Sequence, residues 1–220
     1  MSAKRIVLTG YEPWAHASTN PTLDILGRAR ECNFPNIELV TISVPAESDK
    51  ITPLVDAALD EYRPDVWISL GLYPGLAVIG VERTAVNVKD FPVEDNADAQ
   101  PHDEPVFAEG PFAYSATLPI KAIVGAMTAH SIPAKVSNSA STYLCNQIMY
   151  SALHLVKQKE LDTQAGFIHV PHTPDYVATA AYPEHEYPSM SLDMMSEAVG
   201  LAMTTSAEQE GDIKAPPKGY

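Results

Sequence analysis

Basic residues are scarce in this chain: 14 Lys and Arg stand against 28 Asp and Glu, for a formal charge of −14. Such a surface repels phosphate backbones, and no basic stripe offsets it, so a nucleic-acid partner is not expected. The charge itself reads as a means of staying in solution. Cysteine is scarcer still. Cys32 and Cys145 lie far apart and outside any Cys-x-x-Cys spacing. Neither a disulfide framework nor a zinc site is indicated, and a reducing cytoplasm fits best. No apolar run reaches the roughly 20 residues of a membrane span. The first ten residues carry two basic side chains and only a short apolar run, too little for a secretory leader, and read as a first strand. Repeats and linkers are missing too. With 220 residues, 45% of them hydrophobic, the chain can build one substantial core but not two.

What is present is an alternation of strands and helices. Apolar β-rich runs at residues 5–9, 37–44, 65–70, 134–137 and 166–170 read as strands, with two short extended pieces at 76–81 and 84–88. Helical periodicity marks residues 22–30, entered through Pro21 as a first helical residue, then 48–62, 118–130, 144–157 and 192–205. The expected fold is α/β: a single-domain three-layer α/β/α sandwich on a twisted, mainly parallel sheet. Residues 1–205 form the domain and 206–220 a polar, disordered tail. Two long loops, 89–115 and 171–189, are expected to shape a cleft or a subunit interface. Sites in this architecture form beyond the carboxyl ends of the strands. The loop after strand one, the loop after strand three, the Cys145 turn and the His169 strand end all fall at that edge.

Cys145 carries the chemistry. It ends a loop of small hydroxyl residues, Ser139-Ala-Ser-Thr-Tyr-Leu-Cys145-Asn146, and opens an amphipathic helix. Unpaired N–H groups and the positive end of a helix favour a thiolate, the form that attacks carbonyls. The alternative is a buried core cysteine. A nucleophile needs a base and the base an orienting group. Of seven histidines, His16, His102 and His185 fall in loops, while His130 and His154 fall in or near helices and are expected to be solvated. His169 interrupts the apolar strand Gly166-Phe-Ile-His-Val170, where a histidine needs a partner. Adjacent His172 is its competitor. Glu82 stands in the near-apolar stretch Ile79-Gly-Val-Glu-Arg-Thr-Ala-Val-Asn87. It is either an orienting carboxylate or the partner of Arg83.

Five short motifs in order carry a resemblance: Val7-Leu-Thr-Gly-Tyr-Glu-Pro-Trp14 with Asn20-Pro21, the Glu82 stretch, Asp95-Asn96, Ser139 to Asn146, and Gly166-Phe-Ile-His-Val-Pro171. Together the motifs resemble the pyroglutamyl peptidases, cytoplasmic cysteine peptidases of α/β sandwich fold, from residue 5 to about residue 203. The resemblance implies Cys145 as nucleophile, His169 as base and Glu82 as orienting carboxylate. They would hydrolyse the amide after an N-terminal pyroglutamyl residue through a thioester, with no metal and no organic cofactor. Tyr11 and Trp14 would clasp the lactam ring, and Asn20, Leu72, Tyr143 and Leu144 would line the same pocket. For Asn20 a helix cap is the competing role. A homo-oligomer, dimer or tetramer, is also implied. The chain departs from the family pattern at Ala15-His16, where Gly-Gly is usual, at Leu72, where Gln is usual, and at Ser141, where Gly is common. Those changes leave open a thiol amidase of altered acyl specificity. A non-catalytic ligand-binding relative is the third reading.

Overall fold

The computed structural model describes residues 3–14, 17–179 and 187–215. Ala15, His16 and His185 therefore lie outside the described residues. A six-stranded sheet runs in the order β2-β1-β3-β8-β4-β7, built from β1 (Lys4–Tyr11), β2 (Ile37–Val44), β3 (Val66–Leu72), β4 (Ile79–Glu82), β7 (Ala134–Ser137) and β8 (Gln164–Val170). Every neighbouring pair is parallel except β4 against β8. Helices α1 (Pro21–Glu31), α3 (Ile120–Ala129) and α6 (Leu192–Glu208) pack on one face. Helices α2 (Ser48–Tyr62) and α4 (Leu144–Gln158) cover the other. This is the expected three-layer sandwich.

Strand alternation decides which side chains reach which face, because successive residues point to opposite sides. Ile6, Leu8, Ile68, Leu70, Ile168 and Val170 feed the core under α1, α3 and α6. Val7, Trp67, Ala165 and Phe167 feed the core under α2 and α4. Continuing the same count puts Tyr11, Gly71, His169, Gly80 and Glu82 on the α4 face. Helix α4 is buried almost all round, from Asn146 to Val156, as befits an element enclosed by protein. His154 is buried with it, contrary to the expectation of a solvated side chain. Its Nδ1 lies 3.0 Å from the Tyr114 hydroxyl, its ring stacks on Tyr150, and burial holds its pKa below the usual histidine value.

The long loops contain more structure than their composition suggests. Within residues 89–115, β6 (Ala113–Ser115) pairs antiparallel with β5 (Thr84–Val86). Within 171–189, a short helix α5 covers Pro174–Thr179. His172, expected to sit in open loop, is buried and stacked on Tyr176 with ring centres 4.4 Å apart. The last helix passes the expected boundary at 205 and runs to Glu208. Beyond it, Asp212 accepts the N–H groups of Lys121 and Ala122, placing a negative charge at the start of α3.

Candidate active site

His169 occupies a gap left by two glycines. In the sheet it is flanked by Gly71 on β3 and Gly80 on β4. With no Cβ on either neighbour, the imidazole has room on the α4 face. Glu82 lies two residues beyond Gly80 on the same face, the diagonal position from which a long side chain reaches across an antiparallel pair. Its Oε1 lies 2.7 Å from His169 Nδ1, and both residues are about 2% exposed. Arg83, the rival partner, turns away and donates from Nε to Asn138 Oδ1 at 3.0 Å. With Nδ1–H given to Glu82, the neutral ring leaves Nε2 as its acceptor. Among the described residues Glu82 Oε2 has no hydrogen-bond partner, so His169 is the carboxylate's one hydrogen-bond partner there.

Cys145 reaches the same place from above the sheet. A Cβ added to Gly71 would stand 2.8 Å from Cys145 Sγ and 2.6 Å from the Phe167 ring, so the sulfur packs directly on the strand residue beside His169. Cys145 is open to a cavity of about 330 Å³ that His169 also lines. Protein otherwise surrounds the sulfur, and this burial pushes the thiol up to about 12, with the negative charge of Glu82 acting in the same direction and the backbone N–H of Cys145 against it. The expected resting thiolate is thus corrected. The helix start does favour it, but desolvation outweighs that effect, and the sulfur rests as a thiol.

Helix α4 begins with Tyr143 as N-cap, whose side chain makes no cap hydrogen bond. The turn before it is clamped from several directions. Thr142 Oγ1 donates to Asp90 O, Tyr143 Oη donates to Glu94 O, and Tyr11 Oη donates to Leu144 O. Asn146 accepts Val86 N–H and donates to Val86 O and Val88 O, tying the residue after the cysteine to β5. Ser141 sits at φ +68, the left-handed region that an L side chain enters at a cost of roughly 1–2 kcal/mol. Asp95 accepts from Ser48, Ala97 and Ala99 N–H and so caps α2 from the long loop. Asn96 Nδ2 donates to Pro13 O and fixes the first loop beside it.

All six residues expected to line the pocket do line it: Tyr11, Trp14, Asn20, Leu72, Tyr143 and Leu144. Asn20 fills the competing role as well, since Oδ1 accepts Thr22 N–H and caps α1. Ala46, Tyr73, Pro74, Pro92, Val93, Ala140 and Ser141 also line it and were not foreseen as wall residues. Trp14 stands edge-on to Tyr143, 5.9 Å between ring centres. Its buried Nε1–H is directed at the Tyr143 hydroxyl and lowers the phenol's pKa, against the larger effect of burial. Burial pushes the Tyr143 phenol up to about 12. Among the described residues no group of three or more His, Cys, Asp or Glu is placed to hold a metal ion.

A family model described as pyroglutamyl peptidase matches residues 4–209. The chain belongs to the pyroglutamyl peptidase family. Among its relatives, a pyrrolidone-carboxylate peptidase of Vibrio campbellii is 37% identical over 210 residues, covering 96% of each chain. One of Fusobacterium nucleatum is 35% identical over 211 residues with the same coverage. The solved pyrrolidone carboxyl peptidase from Thermococcus litoralis superposes with a TM-score of 0.91 at 38% identity, covering 97% of this chain and 99% of that one. Pyroglutamyl peptidase I of Bacillus amyloliquefaciens gives 0.90 at 31% identity, covering 96% and 100%. Ser141, where the resemblance led to Gly being expected, has the positive φ that makes glycine the natural choice.

Proposed function

We infer that this protein is a cysteine exopeptidase that removes an N-terminal pyroglutamyl residue. One observation carries the assignment of roles: the buried 2.7 Å contact between His169 and Glu82, beside a thiol that opens onto an aromatic-walled cavity. His169 Nε2 takes the Cys145 proton as Sγ attacks the carbonyl carbon, and Glu82 stabilises the imidazolium formed. Because the thiol rests protonated, attack and proton transfer belong together. Backbone N–H groups at the start of α4 receive the developing oxyanion. His169 then gives its proton to the departing amine as the C–N bond breaks, leaving a thioester on Sγ. A water, deprotonated by His169, adds to the thioester carbonyl, the C–S bond breaks, and the thiol is restored.

The pocket suits a flat neutral ring. Among the described residues no carboxylate lines it, so the charged amine of an ordinary N-terminus would lose its hydration without gaining an ionic partner. Tyr11 and Trp14 give the ring flat aromatic walls, while Leu72 stands where the family's usual Gln would offer a side-chain donor. A free thiol nucleophile favours a reducing compartment such as the cytoplasm, and no described helix is long and apolar enough to cross a membrane. A homo-oligomer is part of this reading, and sedimentation as a monomer at micromolar concentration would remove that part. The assignment is tested with a pyroglutamyl-fluorophore amide. Wild-type protein should release dye and Cys145→Ala should not, whereas silence of the wild type across pH and salt would defeat the substrate assignment. Trp14→Ala should raise KM about ten-fold through loss of that apolar wall.

A further inference from the structure

Four large apolar side chains stand exposed among the described residues, Tyr73, Val93, Phe112 and Ile213. Two of these, Tyr73 and Val93, line the cavity that holds Cys145 and His169, with Pro74 and Pro92 beside them. Both are 40–50% exposed, at 47% and 43%. The backbone on either side of each is anchored. Tyr73 N–H donates to Val170 O at 3.0 Å, and Tyr73 C=O accepts Leu76 N–H at 3.2 Å across a Pro74-Gly75 turn in which Gly75 has φ +86. Proline second and a positive-φ glycine third make a type II turn, a rigid mount for the residue that starts it. On the other side, Phe91 is buried and its N–H donates to Pro101 O, while Asp95 N–H donates to Ala99 O. Val93 is suspended between these two anchors.

The Tyr73 ring stands edge-on to the His169 imidazole, with centres 5.2 Å apart. In the step that breaks the scissile bond, the departing nitrogen must come within hydrogen-bond reach of His169. The side chain of that residue starts only two bonds from the nitrogen. It therefore lands against Tyr73.

Building on the peptidase reading, we propose that Tyr73-Pro74 and Pro92-Val93 form the two walls of a slot for the side chain of the residue that follows the pyroglutamyl group, and that this slot selects apolar, above all aromatic, residues there. Rigid apolar surface held in water beside a reacting centre gains most from such an occupant, which covers it and adds an aromatic pair with Tyr73. An acidic residue would gain nothing from these walls, and the net charge of −14 opposes it further.

The test is a series of pyroglutamyl-X-amide dipeptides, with X as Phe, Leu, Ala or Asp, compared by kcat/KM. Wild-type protein should favour Phe over Ala by about ten-fold or more, the usual scale of apolar-pocket discrimination, and place Asp last. Tyr73→Ala should collapse the Phe-to-Ala ratio to about two, while Val93→Lys should raise Asp relative to Ala, each within that same apolar and charge scale. Phe112→Ser, exposed and away from the cavity, should leave the ratios unchanged. Equal rates for all four dipeptides with wild type would overturn the slot. So would a Tyr73→Ala protein slowed by one common factor on every substrate, since the ring would then act on His169 alone. Complete absence of cleavage is a different pattern: it overturns the peptidase reading and the slot with it.

Discussion

Replacing Gly71 by Ala tests whether the position of the Cys145 sulfur sets the rate. The added methyl would stand 2.6 Å from the Phe167 ring and 2.8 Å from Cys145 Sγ. Carbon and sulfur contacts are comfortable only from about 3.5 Å outward, so both neighbours are pressed to give by roughly 0.7–1 Å. Phe167 is fully buried, and its ring lies 4.7 Å from that of His169, so it has nowhere to retreat without carrying the imidazole along. The sulfur, at the end of one rotatable bond, is the softer partner. Over-packing of this kind costs about 1–3 kcal/mol of stability. A displacement near 1 Å in a reacting atom costs about 100-fold in rate. Steady-state hydrolysis of a pyroglutamyl-fluorophore amide should therefore show kcat lowered about 100-fold, with a folded protein by urea denaturation. Gly27→Ala is the matched control. Nothing lies within 4 Å of its added methyl, in the middle of α1. It should stabilise by about 1 kcal/mol through helix propensity and leave kcat alone. A Gly71→Ala enzyme with lowered stability and undiminished kcat would refute the reasoning, because the sulfur would have moved without consequence.

Glu82→Gln keeps the shape of the carboxylate but removes its charge and its command of the His169 tautomer. Turnover should fall by about 10⁴-fold, without a comparable loss of stability in urea. Asn146→Ala strips three hydrogen bonds from the backbone of Val86 and Val88. At about 1 kcal/mol each it should cost roughly 3 kcal/mol, read from the denaturation midpoint. The Cys145 thiol, raised from 9.0 to about 12, makes a pH prediction of definite sign. The folded state holds this proton more tightly than the unfolded chain, so the stabilisation is complete below about pH 9 and is lost as pH climbs toward 12. The fall in stability over that range should be shallower in Cys145→Ala. In a His169→Ala background, alkylation of Cys145 should quicken about ten-fold per pH unit over the same window. Adding Glu82→Gln should speed it at a given pH, since the Glu82 charge holds the thiol up.

Much of this was legible in the sequence, for identifiable reasons. The strands Ile37–Val44 and Ala134–Ser137 and the helix Ser48–Tyr62 begin and end where expected, because proline and turn residues mark their limits sharply. The three-residue strand β6 was hidden in the loop 89–115. It is too short for alternation to register, and it exists only through pairing with β5, far away in sequence. The six-residue helix α5 was missed for the same want of length. His154 was misjudged because periodicity reveals one apolar face, and α4 is covered on the others as well. The thiolate expectation failed on a tertiary effect, since desolvation of Cys145 depends on Phe167 and Gly71 closing around it. The pocket wall was foreseen where motifs mark it. Tyr73 and Val93 carry no motif, although the Tyr-Pro-Gly turn after β3 was a signal that an aromatic would be presented at the strand edge.

The most direct test of the account is to quench a reaction with a pyroglutamyl ester or amide in acid and map the acyl group by peptide mass spectrometry. A pyroglutamyl thioester on the peptide containing Cys145, and none on the peptide containing Cys32, is the predicted result. Rapid turnover of an ester in pre-steady-state conditions with no acyl group on Cys145, or with the group on another residue, would contradict it.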